Sequence, residues 1–213
     1  EDRPGLGKTT VAKALAHARH RNQVIDEMLR GHGPDFEFAS RAEDATRIAA
    51  TGKRIVYKSI ENAYPLGDNI DLLDEFYAAG VRMVGLVHSK NNQFADSATD
   101  LKGQKWGGLS PLGRQLISRA NRLGMIVDMS HAHDDALAQA IELSATPIIL
   151  SHSGAAFLHK HPRNVPDDLL KKLARSGGVI QINSLSAYLR ESRADPNRLP
   201  EFLAIYRKYQ NAP

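Results

Sequence analysis

The chain has 213 residues, 42% of them hydrophobic and 24% charged, with a formal net charge of +4 and no cysteine. That is enough apolar material for one substantial core. It excludes a disulfide scaffold and thiolate metal or redox sites, and the interspersed charges form no basic stripe that would track nucleic acid.

The opening stretch contains Gly5-Leu6-Gly7-Lys8-Thr9-Thr10, which has the look of a phosphate-binding loop. Such a loop needs a glycine where Asp2 stands. It also needs a buried strand before it, so that backbone N–H groups at the helix start point at phosphate. Residues 1–4 are polar with a proline. The stretch therefore reads as a helix start broken by Pro4 and Gly5 and capped at Thr9 or Thr10, and no nucleotide is expected. Val11, Leu15, Ala18, Val24, Ile25, Met28 and Leu29 continue the helical pattern. No apolar run approaches the roughly 20 residues that span a bilayer, and no secretory pattern opens the chain.

Beyond a break at Gly31–Pro34, residues 36–39 read as a short strand. Ser40-Arg41-Ala42-Glu43 has the spacing of a capping box for a helix to Ala50. Residues 54–61 read as one strand ending at Glu61. Residues 68–80 read as a helix with Ile70, Leu73, Phe76 and Tyr77 on one face and Gly80 as its stop. A strand then ends at His88, and a polar loop runs from Ser89 to Gly108 with Trp106 near its end. Ser110 and Pro111 open a helix that stops at Gly124. A strand follows that ends at His131, then a helix from His133 to Ser144, then a strand ending at His152. A second polar loop reaches Arg163-Asn164. A helix to Gly178, a strand ending at Asn183 and a closing helix over 195–210 complete the pattern.

Strands alternating with helices imply parallel strands joined by right-handed crossovers. An open doubly wound sheet and a (β/α)8 barrel both fit. Glu61, His88, His131, His152 and Asn183 each close a different strand, and a barrel gathers such ends on one face, so the barrel is favoured. Five clear strands and one doubtful one fall short of eight, so the chain reads as the middle of a barrel in one domain, with residues 1–35 as a helical insert leading in. Imidazole nitrogens with a carboxylate suit zinc, and less specifically iron or nickel. His17, His20, His32, His133, His159 and His161 lie in helices or loops and read as solvated.

The segments SIENAYPLG, LVHSKNNQFADSATD, GLSPLGRQLISRANRLGMIVDMSH, PIILSHSGA and HPRNVPDDLLKKLARSGGVIQIN occur in that order. Through them the chain resembles the membrane dipeptidase (renal dipeptidase, peptidase M19) family of metal-dependent hydrolase barrels, in its bacterial form. The resemblance implies a zinc-dependent dipeptidase that cleaves dipeptides with a metal-bound hydroxide at a two-zinc site. Glu61 would bridge the zincs, and His131 and His152 would bind one of them. His88 would contact substrate and stabilise the oxyanion, Arg163 would contact the substrate carboxylate, and Asn183 would line the pocket. The family's first strand carries an H-x-D pair and its last an aspartate near the catalytic water. Here no strand ends in such a pair, since His133-Asp134-Asp135 opens a helix, and Asp195 sits in an Asp-Pro turn. The first and last strands are thus expected to be missing. Alternatives are a catalytically incomplete, oligomeric or binding module and a related amidohydrolase on another small amide. A homodimer is allowed, and the compartment stays open between bacterial cytoplasm and periplasm.

Overall fold

The computed structural model describes residues 7–191 and 197–209. Helix α1 (Gly7–Gly31) precedes β1 (Phe36–Phe38), α2 (Ala42–Ala49), β2 (Arg54–Val56) and β3 (Lys58–Ile60). Next come α3 (Leu72–Ala78), β4 (Val81–Gly85), α4 (Pro111–Leu123), β5 (Ile126–Asp128), α5 (Asp134–Leu143) and β6 (Ile149–Ala155). The chain continues through β7 (Asn164–Val165), α6 (Asp167–Arg175), β8 (Val179–Ile182), α7 (Ser186–Leu189) and α8 (Arg198–Tyr209). Helix α1 covers the stretch expected to be helical, while Pro4, Gly5 and Asp195 lie outside the described residues.

The main sheet runs β3-β4-β5-β6, with β8 along the other side of β6 and the short β7 pairing its last two residues, Gly154 and Ala155. Every pairing between these strands is parallel. Helices α3 to α6 fill the crossovers. Their apolar faces (Leu73, Phe76, Leu116, Ile117, Leu137, Leu169, Leu173) pack on Val84, Val127 and Leu150 of the strands in one core. Burial of these helix stripes against both-sides-covered strands drives the assembly. Among the described residues the strands trace an arc of an α/β barrel of the (β/α)8 type. Val179 and Ile182 of β8, and Leu199, Phe202 and Ile205 of α8, are exposed. No helix among the described residues is long and apolar enough to cross a membrane.

The stretch 54–61 is two strands, not one. β2 pairs with β1, Arg54 lying beside Phe36, whereas β3 pairs with β4 from Lys58 onward. Lys58 is buried, and its ammonium is held by Asp26 Oδ1 at 2.6 Å and by the Ala79 carbonyl at 2.9 Å. A buried charge needs such partners, and these lie on α1 and just after α3. The run of β-branched residues carried no sign that its halves pair with different neighbours. Helix α1 is fastened a second time by Arg19, whose Nε and Nη2 each donate to Glu75 at 2.7 Å.

The capping box of α2 also differs from expectation. Asp44, not Glu43, accepts from Ser40 N (2.9 Å), Ser40 Oγ (3.1 Å) and Arg41 N (3.0 Å). The helix starts late enough to put Asp44 at the third position. These bonds, led by that from Ser40 N, with Arg47 adding to them, hold the Asp44 carboxyl down at about 2.

Helix α4 matches its sequence signals. Ser110 Oγ accepts from Gly113 N at 3.0 Å, and Gly124 takes the left-handed φ of +73° that ends the helix. Gly113 is in the helix for a packing reason, because a Cβ there would stand 2.0 Å from the Phe94 carbonyl oxygen. Gly113→Ala is therefore expected to destabilise the fold by about 3 kcal/mol or more through overpacking, despite alanine's better helix propensity. Equilibrium denaturation checks this, and an unchanged midpoint would refute it.

The loop 89–108, expected to be polar, buries Phe94, Ala95, Asp96 and Ser97. Asp96 accepts backbone bonds from Lys105 N (2.8 Å), Trp106 N (2.9 Å) and Gly108 N (2.9 Å), folding the loop around a buried carboxylate. The loop is tied to two of the strand-end histidines. Ser97 Oγ donates to the His88 carbonyl at 2.6 Å, Ala98 N to the His131 carbonyl at 2.9 Å and His133 N to the Asp96 carbonyl at 2.9 Å.

Candidate metal centre

Parallel strands side by side bring their C-terminal ends to one rim, and four expected site residues meet there. Glu61 follows β3 directly. His88 and His131 stand three residues beyond β4 and β5, and His152 lies within β6. All four were expected at the strand ends themselves. The extra residues after β4 and β5 carry the imidazoles inward over the sheet, whereas β6 runs on past its histidine to meet β7.

Glu61 Oε1 lies 3.1 Å from His152 Nε2, 3.2 Å from His131 Nε2 and 3.7 Å from His88 Nε2. The Nε2 atoms of His131 and His152 are 2.9 Å apart. The His88 and His131 rings lie 4.0 Å apart, centre to centre, at 32°. Glu61, His88 and His131 form a group whose ligand atoms all fall within 4.8 Å of one another, as a metal site requires.

Three acceptor-rich atoms at mutual distances of 2.9–3.2 Å repel one another unless a cation or proton lies between them. Ligands that share a tetrahedral zinc with bonds of ~2.0–2.1 Å stand roughly 3.3 Å apart. The donor set of Glu61, His131 and His152 therefore fits a zinc-like ion in type and spacing. Burial pushes the His131 imidazole down to about 3, helped by the charges of Arg163, His88 and His152. It is neutral near pH 7, the form that ligates metal.

The backbone around the cluster is held in uncommon conformations. Among the described residues only Asn62 (φ +74°) and His131 (φ +72°) are non-glycine residues with positive φ. One follows Glu61 and the other is a site residue itself. Left-handed backbone at a histidine costs energy that surrounding contacts must offset, and such strain gathers at functional sites. The contacts are visible: Asn62 Oδ1 accepts from Tyr64 N (3.2 Å) and Asn92 Nδ2 (2.9 Å), and the loop 89–108 grips His131.

Arg163 lies beside this group, and the backbone N–H of Asn183 donates to the carbonyl of Ser153, next to His152, at 2.8 Å. Arg163 is buried, its Nη2 donates to the His152 carbonyl at 2.8 Å, and its Nε has no partner among the described residues. Burial pulls its guanidinium below its ordinary value. Asn183 follows β8, and its Oδ1 accepts from Leu185 N at 2.8 Å in a turn that opens α7. Glu61 lines a recess of about 350 Å³ between α1 and β3, shared with His17, Arg21 and Lys58. His88 lines another of about 370 Å³ with Asn62, Tyr64 and Asn92. Sequence reasoning missed Asp96, Asp128 and Ser151. Ser151 adjoins His152 in the chain and Asp128 stands three residues before His131, a proximity that is the one signal that could have drawn attention to them.

Residues 6–201 match the membrane dipeptidase family (peptidase family M19). The chain is 37% identical over 182 residues to dipeptidase tcpJ of Claviceps purpurea, covering 83% of this chain and 43% of that protein. Among solved structures, it is similar to the probable dipeptidase PvdM of Pseudomonas aeruginosa, with a TM-score of 0.79 and 37% identity, over 92% of this chain and 51% of that one. It is also similar to a metallo peptidase of Rhodobacter sphaeroides liganded with a phosphinate mimic of the dipeptide L-Ala-D-Ala, with a TM-score of 0.74 and 25% identity, over 91% of this chain and 57% of that one. The chain thus spans less than half the length of the fungal relative and about half that of the bacterial ones.

Proposed function

Since the chain belongs to the membrane dipeptidase family (peptidase family M19), we propose that it contributes the Glu61–His131–His152 part of a two-zinc dipeptidase site. The observation that carries this reading is the convergence of Glu61 Oε1 with the Nε2 atoms of His131 and His152 within 3.2 Å. Zinc held there would supply a water of lowered pKa, near 7, and would polarise the scissile carbonyl.

The residues divide the remaining work. Glu61, His131 and His152 would hold the ion. His88 is held at Nδ1 by Ser89 Oγ, 2.8 Å away, and keeps Nε2 directed at the cluster. From there it can donate to the carbonyl oxygen as negative charge develops, a placement that acts on the transition state. With Nη2 on the His152 carbonyl and Nη1 3.5 Å from Tyr188 Oη, Arg163 keeps its unpartnered Nε as a charged donor for the free carboxylate of a dipeptide. Asn183, whose oxygen holds the turn after β8, is proposed to line the substrate pocket. The phosphinate dipeptide mimic carried by the Rhodobacter sphaeroides relative agrees with a substrate of this size.

The test is zinc content per folded chain, with hydrolysis of unblocked dipeptides measured alongside. Bound zinc lost in a His131→Ala or His152→Ala protein supports the reading, and zinc content unchanged by both substitutions would end it. Arg163→Lys is expected to raise KM for free dipeptides by roughly tenfold with little change in kcat, as loss of uniform binding does. Equal effects on free and C-terminally amidated dipeptides would remove Arg163 from the carboxylate role.

A further inference from the structure

Behind His152 lies a chain of hydrogen bonds whose protons are ordered by an ionised Asp128. Asp128, buried at the end of β5, accepts on Oδ1 from Ser130 N at 2.9 Å and Ser151 N at 3.1 Å. Its Oδ2 lies 2.5 Å from Ser151 Oγ. Ser151 Oγ in turn lies 2.7 Å from His152 Nδ1. A carboxylate offers only lone pairs here, so the single hydroxyl proton of Ser151 must go to Asp128; otherwise two oxygens would face each other across 2.5 Å with nothing between them. Ser151 Oγ then has only lone pairs left for His152, and His152 Nδ1 must carry the ring proton. That leaves His152 Nε2 bare and aimed at Glu61 and His131.

We infer that Asp128 and Ser151 are positioning residues that lock His152 in its Nδ1–H tautomer, and so present Nε2 as a ready lone pair to a metal ion. The inference deepens the zinc reading above and rests on it for its purpose, though not for its geometry. Partners behind a ligating histidine fix its tautomer and orientation and raise its basicity. His131 has no such support, because its Nδ1 is buried without a partner among the described residues. In the metal-free protein His131 therefore supplies the proton shared across the 2.9 Å contact with His152. The two ligands of one ion are thus prepared differently. His152 is preset, and His131 must give up or move its Nε2 proton before it can ligate.

Asp128→Asn separates this from a merely structural role. The two backbone donors keep the amide oxygen at the Oδ1 position, so the NH2 group falls opposite Ser151 Oγ. Ser151 then accepts from Asn and donates to His152 Nδ1, which moves the ring proton to Nε2. Long-range 1H–15N NMR of the metal-free chain, with His152 signals assigned by comparison with a His152→Gln protein, reads the tautomer directly. The expected result is Nδ1–H for His152 in the parent chain and Nε2–H in Asp128→Asn. Zinc affinity by competition with a chromophoric chelator should fall about 10–100-fold in Asp128→Asn. It should fall less in Ser151→Ala, and return in Ser151→Thr, which restores a hydroxyl. An Nε2–H tautomer in the parent chain would overturn the inference without any variant having to fold. So would equal zinc affinity in the parent, Asp128→Asn and Ser151→Ala proteins. If the parent binds no zinc yet shows the Nδ1–H tautomer and its inversion in Asp128→Asn, the relay stands and the metal reading falls.

Discussion

Glu61→Gln is expected to weaken zinc binding by at least ~100-fold while leaving the fold intact. The apparent free energy of a four-ligand zinc site is about 10–16 kcal/mol, or roughly 3 kcal/mol per ligand, which corresponds to two or more powers of ten. Glu61 carries the only negative charge among the four converging side chains, and its Oε1 lies within 3.7 Å of all three Nε2 atoms. Glutamine keeps the shape but replaces a full charge with a dipole, and one rotamer sets an NH2 group against the imidazoles. The side chain is half exposed, so its loss creates no buried defect and thermal unfolding of the metal-free protein should barely change. Isothermal titration with zinc measures the effect. An affinity within threefold of the parent would show that Glu61 is not a ligand.

Asp96→Ala is expected to have the largest effect on stability and to reach the site indirectly. It removes the acceptor of the Lys105, Trp106 and Gly108 backbone N–H groups from a fully buried position. An unsatisfied buried donor costs about 1–3 kcal/mol, so a total loss of roughly 3–5 kcal/mol is expected. In a chain of this size that lowers Tm by about 10 °C or more. The loop it organises holds the carbonyls of His88 and His131 through Ser97 and Ala98. Zinc affinity should therefore fall as well, with no ligand altered. Asp96→Asn keeps an acceptor for Lys105 and Trp106 and should lose about half as much stability. Scanning calorimetry with and without zinc checks both effects, and a Tm within about 2 °C of the parent would show that the loop does not depend on this carboxylate.

Much of the architecture was legible because burial leaves a local signature. Ser110, Pro111 and Gly124 mark the ends of α4, and the apolar spacing of Leu73 and Phe76 marks α3. Where reading failed, the missing information was a long-range pairing. Residues 54–61 look like one strand because the run is rich in β-branched residues, yet the halves pair with β1 and β4, which lie far apart in sequence. The loop 89–108 looks polar because its composition is polar, yet one of its acidic residues is the buried centre that folds it. The Asp44 cap differs from the expected one by a single residue, a distinction that depends on where the first helical turn closes.

The amino-acid sequence by itself determined the alternation of strands and helices, the family, and the residue types at the strand ends, since these depend on hydrophobic period and side-chain chemistry along the chain. Only the tertiary structure decided that Glu61, His88, His131 and His152 meet within a few ångströms. It also decided that His131 stands on left-handed backbone and that Asp128 reaches His152 through Ser151. Those outcomes depend on strand register. A shift of one residue in the pairing of β5 with β6 would turn His152 to the opposite face of the sheet relative to Asp128, and no local pattern in the chain records which register the packed core selects.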